Sequence, residues 1–480
     1  MIQLPHDILI YIGDNLSNID KIMLTSITSL FYKRKHIFTY HDIIDAKNVC
    51  RFHIRQYKNI HFELRNNERF DKFIPITHLT LNTPVFHTAL ENMPNSVRHL
   101  AFGKYFMGYL DLCEIPNKIT HINFENYHDK INPGDIPQSV THIIMNQLYN
   151  FPVDKCLPSL LTHLIFSEHY NQPIDNLPAS ITHLKFGGRF DQTINNLPAS
   201  LTHLKLGVCF NQQIRRMPSS LTHLSFGTLF NRSLKNISPS IISLKLGLNF
   251  SRSYKFITKL RDLSRIILAD SFNKSIKILS GLPKLTHVIF GTYFNKNVDL
   301  LPSSVTHLKF GRQFNRRITT LPCKLRYLEF GSEFNRPIIS LPSELQHLKF
   351  GYNFNQSINF LPNSLIELTF DNDFNQTIEH ISRLTNLTSL TFGFSFNNSI
   401  RCLYNLTSLT KLVFGHNFNR PILGCIPKNV EEIVFGHDFN RQIKGCIPNK
   451  VTKIIFGENF KQDVTELSSR CKILVSVFDH

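Results

Sequence analysis

The sequence predicts a repeat solenoid, mainly β, with a parallel sheet along one side, Pro-containing extended or irregular returns on the other, and a small helical segment at its N-terminus. Three observations predict it. Phe190, Phe210, Phe230 and Phe250, then Phe314, Phe334, Phe354 and Phe374, recur at intervals of 20 residues, and Phe272, Phe294, Phe396, Phe418, Phe439 and Phe460 at intervals of 21 or 22. Self-similarity at this period marks a unit that cannot bury its apolar face alone and must stack on its neighbours. Leu204 and Leu206 alternate with His203 and Lys205, the period-two pattern of a strand with leucines inward. A Leu-Pro pair also recurs (Leu177-Pro178, Leu301-Pro302, Leu341-Pro342). A proline within about 20 residues per turn leaves no room for a full α-helix.

The N-terminal residues 1–45 have a different grammar. Ile8, Leu9, Ile12 and Leu16 fall at helical spacing, followed by Ile22, Met23, Ile27, Leu30 and Phe31. Pro5 suits a first helical turn and Asp20 an N-cap. Two or three such short helices cannot bury their apolar faces unaided, so the segment needs a partner. Residues 46–76 read as a connector and N-terminal cap. Residues 77–480 then form the solenoid, with roughly nineteen units from Thr77 to Gln462, spanning on the order of 90 Å at strand spacing. Irregular stretches are expected before Tyr149, where His128-Asp129 replaces Phe-Asn, and over Tyr254 to Ala269. Ile473, Val475 and Val477 alternate as a last rung and C-terminal cap.

Within a unit each column has an expected task. Gly207 and its equivalents Gly187, Gly227, Gly247, Gly311, Gly331 and Gly351 end the strand, where either a positive φ or a tight backbone approach calls for glycine. The Phe column stacks one ring per turn, which accounts for 41 Phe against no Trp. The Asn column (Asn211, Asn231, Asn273, Asn295, Asn315, Asn335, Asn355, Asn375, Asn397, Asn419, Asn440) supplies buried amides to backbone groups left unpaired at the bend.

The strings Phe334-Asn-Arg-Pro-Ile338, Phe418-Asn-Arg-Pro-Ile422 and Tyr170-Asn-Gln-Pro-Ile174 resemble the FNIP repeat, a short relative of the leucine-rich repeat, over about four-fifths of the chain. The N-terminal residues Leu4, Pro5, Asp7, Ile8, Leu9, Ile12, Leu16, Ile22, Leu24, Leu30, Phe31 and Lys33 resemble an F-box, with Ile27-Thr28-Ser29 where that family usually has Val-Cys or Val-Ser. The resemblance implies that Leu4, Pro5, Ile8, Leu9, Ile12, Leu16, Leu24, Leu30 and Phe31 dock a Skp-type adaptor of a cullin ubiquitin ligase. It also implies a giant-virus or amoebal source and, for a virus, diversion of a host ligase by a protein located in the host cytoplasm. A bare helical cap on the first turn is the alternative.

The net charge of +18 lies in the repeats, since residues 1–45 carry four Lys/Arg against five Asp. Part of it follows the Asn column, at Arg232, Arg252, Lys274, Lys296, Arg316, Arg336, Arg420 and Arg441. Part lies on the strand face at Lys185, Lys205, Lys245, Lys309 and Lys349, beside an outward column of His163, His183, His203, His223, His287, His307 and His347. These strand-face residues are the expected target-binding surface. A polyanion such as nucleic acid is a second partner class, though no base-reading motif accompanies the charge. The regular histidine column lacks the carboxylates or closed geometry of a metal site, and no cofactor is expected. Cys425 and Cys446, in twin Gly-Cys-Ile-Pro strings, fall on adjacent rungs and pack as small apolar side chains.

No nucleophile elbow, phosphate loop or HExxH motif is present. Residues repeated every turn do not make one catalytic pocket, so a non-enzymatic interaction protein is expected. Gln3, His6 and Asp7 stand where a signal peptide would be cationic and then apolar, and no run of about eighteen apolar residues occurs. Nine cysteines without a CxxC fit reduced thiols. The expected location is therefore cytoplasmic or nuclear.

Overall fold

The computed structural model describes residues 44–46, 60–65, 74–82, 93–106, 115–465, 467 and 471–475. Nearly all of the helical segment expected at 1–45, with every expected adaptor-binding residue from Leu4 to Phe31, lies outside them. The described residues form two compact units, within 1–221 and 222–480.

The first unit stacks parallel strands in chain order. They run from β1 (Ile44–Asp45), β2 (Ile60–Leu64), β3 (His78–Leu81) and β4 (His99–Phe102) through β5 (His121–Asn123) and β6 (His142–Ile144) to β7 (His163–Ile165), β8 (His183–Lys185) and β9 (His203–Lys205). Strand pairing thus begins at Ile44, in the last two residues of the span read as helical, and continues through the span read as connector. The second unit starts with β10 (His223–Ser225) and continues the pattern to its last strand at Lys472–Val475. Register is one residue to its equivalent: His183 opposite His203, Leu184 opposite Leu204, Lys185 opposite Lys205. The inward residue is buried and its neighbours are not, as the alternation predicts.

The strands are only three to five residues long beyond β1 because the ladder continues outside them. Thr202 and His203 N–H both donate to Thr182 O, and Phe186 N–H donates to Lys205 O. On the return, Leu201 N–H donates to Pro198 O, so the proline opens a tight turn. Ser200 Oγ reaches the carbonyls of Ala179 and Ile181 at 2.6 and 2.7 Å, tying that turn to the preceding coil.

The glycine column answers the two expectations it raised. A Cβ on Gly207 would lie 1.6 Å from Gly187 O, and one on Gly331 would lie 1.9 Å from Gly311 O. Close backbone approach, not positive φ, therefore excludes a side chain there. Positive φ appears elsewhere: at Gly134 and, where a 21-residue step has one residue to absorb, at Gly424, Gly445 and, without glycine's freedom, Lys155 with φ 58°. The 22-residue steps instead wind their surplus into single 3₁₀ turns at Lys255–Lys259, Ile276–Ile278, Glu379–Arg383 and Arg401–Asn405. The irregularity expected over Tyr254 to Ala269 stays in that return, because Arg265–Ile267 keeps full register with both neighbours. In the other stretch Tyr127 occupies the Phe position and is buried, with His128 where Asn usually stands.

The core corrects the expectation of one ring per turn. A second Phe column stands four residues earlier, at the strand's end: Phe310, Phe330, Phe350 and Phe370 lie above one another at 5.4–5.6 Å. Each also stacks face to face on the ring four residues later, as Phe350 does on Phe354 at 3.8 Å. Phe314, Phe334, Phe354 and Phe374 form the parallel column at 5.9–6.2 Å and are fully buried. Such pairs contribute about 0.5–1.5 kcal/mol beyond area burial.

Candidate functional site

With the leucines and phenylalanines turned inward, what each unit offers a partner is the outward side of its strands. In the first unit that face carries one imidazole per rung from β3 to β9. His78, His99, His121, His142, His163, His183 and His203 stack with ring centroids 3.9–4.1 Å apart. Four of these, His78 to His142, extend the column beyond the His163 at which its sequence period becomes visible.

A threonine before most of these histidines fixes the ring. Thr162 Oγ1 donates its one proton to Thr141 O at 3.0 Å and lies 2.9 Å from His163 Nδ1. The same pair of contacts recurs at Thr141/His142, Thr182/His183 and Thr202/His203. Assigning the hydroxyl proton to the carbonyl puts the imidazole proton on Nδ1 and makes Nε2 the acceptor nitrogen of each ring. Burial, then the neighbouring histidines, lowers His99, His121 and His163 to about 4. These three rings are therefore neutral at pH 7, and burial shifts His78 and His142 in the same direction.

The second unit uses the same rungs differently. His287 and His307 stack at 4.1 Å, each with its threonine, and His223 is held by Thr222 at 2.9 Å. Tyr327 then interrupts the column, and Glu367 follows His347, with His347 Nδ1 2.9 Å from Glu367 Oε2. Lys309 and Lys349 converge on Glu329 Oε1 at 3.0 and 3.8 Å, and Tyr327 donates to its other oxygen at 2.9 Å. Burial pushes Glu329 upward, but its bonds to Lys309 and Tyr327 and the two lysine charges outweigh this and hold it below the usual carboxylate range. Of the five expected strand-face lysines, then, two spend their charge on a carboxylate of the same sheet. Lys185, Lys205 and Lys245 are exposed and make no ion pair with any described residue.

The Asn column is half-exposed rather than buried, and it pairs along the stack. Asn335 N–H donates to Asn315 Oδ1 and Asn355 N–H to Asn335 Oδ1, both at 3.1 Å. Arg252, Arg316, Arg336, Arg420 and Arg441 use Nε to bond the carbonyl of the Asn one rung back, which fixes the guanidinium column on the surface. Cys425 is buried and Cys446 half-buried on consecutive rungs. Each thiol lies near a backbone carbonyl two residues back, and neither is in a disulfide.

The FNIP Repeat family model matches residues 109–148, 149–189, 170–209, 190–229, 294–333, 334–373, 407–438, 418–459 and 439–465, together more than half of the chain. The chain belongs to the FNIP repeat family. Among solved structures, it is similar to CroV588, described as a novel circular LRR protein. The two are 34% identical with a TM-score of 0.66 over 90% of this chain and 68% of that one. That likeness makes the FNIP coil a solenoid of leucine-rich-repeat type. An FNIP repeat-containing protein of Acanthamoeba polyphaga mimivirus is 29% identical over 130 residues, 27% of this chain and 28% of the relative. The chain thus matches little more than a quarter of that relative's length. No described helix is long and apolar enough to cross a membrane.

Proposed function

We propose that this FNIP repeat chain is a non-catalytic recognition subunit of a Skp-adaptor/cullin ubiquitin ligase. Residues Leu4 to Phe31 dock the adaptor and the strand faces hold a target protein. The target-binding half rests on the threonine-held imidazole column, whose rings are stacked and held at Nδ1 before any partner arrives. Such preorganisation lowers the ordering cost of binding. The ligase half rests on the F-box resemblance of the N-terminal residues. The mechanism is proximity: two sites on one body raise the target's effective concentration beside the ubiquitin-transfer enzyme, and the chain itself does no chemistry. The reading places it in the cytoplasm or nucleus, in the host cytoplasm for a viral protein.

Replacing Leu4, Pro5, Ile8 and Leu9 together by serine should abolish co-purification of a Skp-type adaptor while the far-ultraviolet circular dichroism of the repeats is unchanged. Undiminished co-purification would contradict the docking claim and leave the segment a cap. A second reading, a scaffold for nucleic acid or another polyanion, is favoured by Lys185, Lys205 and Lys245 and by the anchored arginine column. It requires affinity that falls steeply with salt.

A further inference from the structure

His416, His437 and Asp438 stand where the repeat is broken. They follow Gly415 and Gly436, in a column that reads Thr292, Arg312, Ser332, Tyr352, Asn372 and Phe394 on earlier rungs and Glu458 on the next. Among the described residues only these two rungs carry histidine there. A Cβ on Gly436 would lie 1.9 Å from Gly415 O, so the two backbones approach without a side chain between them. The side chains that follow are brought together as a result: His416 and His437 stack at 4.5 Å and 8°, with Phe394 against the other side of His416 at 4.4 Å.

We infer that this trio binds a divalent cation of the zinc class through His416 Nε2, His437 Nδ1 and a carboxylate oxygen of Asp438. The three ligand atoms lie within 4.8 Å of one another. Asp438 Oδ1 is 2.9 Å from His437 Nδ1 and 3.8 Å from His416 Nε2. Metal–ligand bonds of about 2.0–2.2 Å place tetrahedral ligand atoms roughly 3.3–3.5 Å apart, and the two distances bracket that value. Asp438 N–H donates to His416 O at 2.9 Å, which ties the carboxylate's backbone to the neighbouring histidine. The Asn459 amide lies 3.1 Å from His437 Nδ1, and its oxygen supplies a fourth ligand once the amide is turned. Two imidazoles with one carboxylate suit zinc, nickel, cobalt or copper better than magnesium or calcium, which prefer all-oxygen shells. The site lies off the strand face, so the inference stands apart from the proposed target surface.

The test is calorimetric titration of the full chain, stripped with chelator, with zinc chloride. Wild type is compared with the double variant His437→Gln/Asp438→Asn, the single variant His416→Gln, and a control, His287→Gln/His307→Gln, from the strand-face stack. The inference predicts that the wild type and the control bind one equivalent that the double variant lacks or binds at least tenfold more weakly, with a smaller loss in His416→Gln. All four proteins should give the same circular dichroism spectrum. Free thiols elsewhere in the chain bind equally in all four and cancel in the comparison. Equal stoichiometry and affinity in the wild type and the double variant would overturn it, as would a loss confined to the control.

Discussion

The strand face over His121 to His203 and the one over His287 to Glu367 rest on the same backbone, the same Leu/Phe interior and the same glycine approach, yet they present opposite chemistries. The first repeats one imidazole five times, each ring stacked on the next and held by a threonine. The second mixes imidazole, phenol, lysine and carboxylate, with Glu329 and Glu367 answering Lys309, Lys349 and His347. The interior fixes the coil and leaves the outward side chains free to vary. Their charge state then follows from what the next rung holds. Burial, reinforced by like rings in a row, suppresses protonation, whereas a carboxylate one rung away neutralises charge by pairing.

If the interior is truly common to both, equivalent core deletions must cost the same. Phe190→Ala and Phe354→Ala remove fully buried rings stacked above and below, and each should lose about 3–5 kcal/mol in denaturant unfolding. A large inequality would break the comparison. Acid should then separate the two faces. His99, His121 and His163 have folded values near 4 against 6.5 unfolded. As pH falls below about 6.5 the unfolded chain takes up these protons first, so stability is lost progressively between 6.5 and 4 and is untouched above that window. Hydrogen exchange at β4 to β7 should accelerate between pH 7 and 5 by more than at the rungs of Tyr327 and His347, where the imidazoles do not stack on one another. The smallest effect concerns the returns. Lys155 adopts the left-handed φ that Gly424 and Gly445 hold at the matching position, so Lys155→Gly should stabilise by about 1 kcal/mol. Gly424→Ala should lose about as much in a thermal melt.

The sequence carried the coil plainly, because a 20-residue step and a period-two alternation leave one way to bury leucine. It carried Leu204 inward and His203 and Lys205 outward, the proline turn, and the surplus residues of the longer units. It did not carry the second phenylalanine column. Phe186 or Phe350 occupies the place of Leu206, and only the bend at the following glycine lays rings i and i+4 on each other. The neutrality of His99, His121 and His163 was equally hidden, since it depends on burial of each ring and on the histidines of neighbouring rungs. Nor could spacing reveal that Lys309 and Lys349 share one carboxylate, or that His416 and His437 meet, because that contact belongs to adjacent coils and to no period.

The claim that the first unit's strand face is a row of neutral, Nδ1-protonated imidazoles is tested most directly by nitrogen-detected NMR of the full chain with ¹⁵N-labelled histidine, followed from pH 8 to 4. His121, His142 and His163 should show the Nδ1–H tautomer at neutral pH, and His121 and His163 should take up a proton only near pH 4. Ordinary titration near 6.5, or the Nε2–H tautomer at these rings, would contradict it.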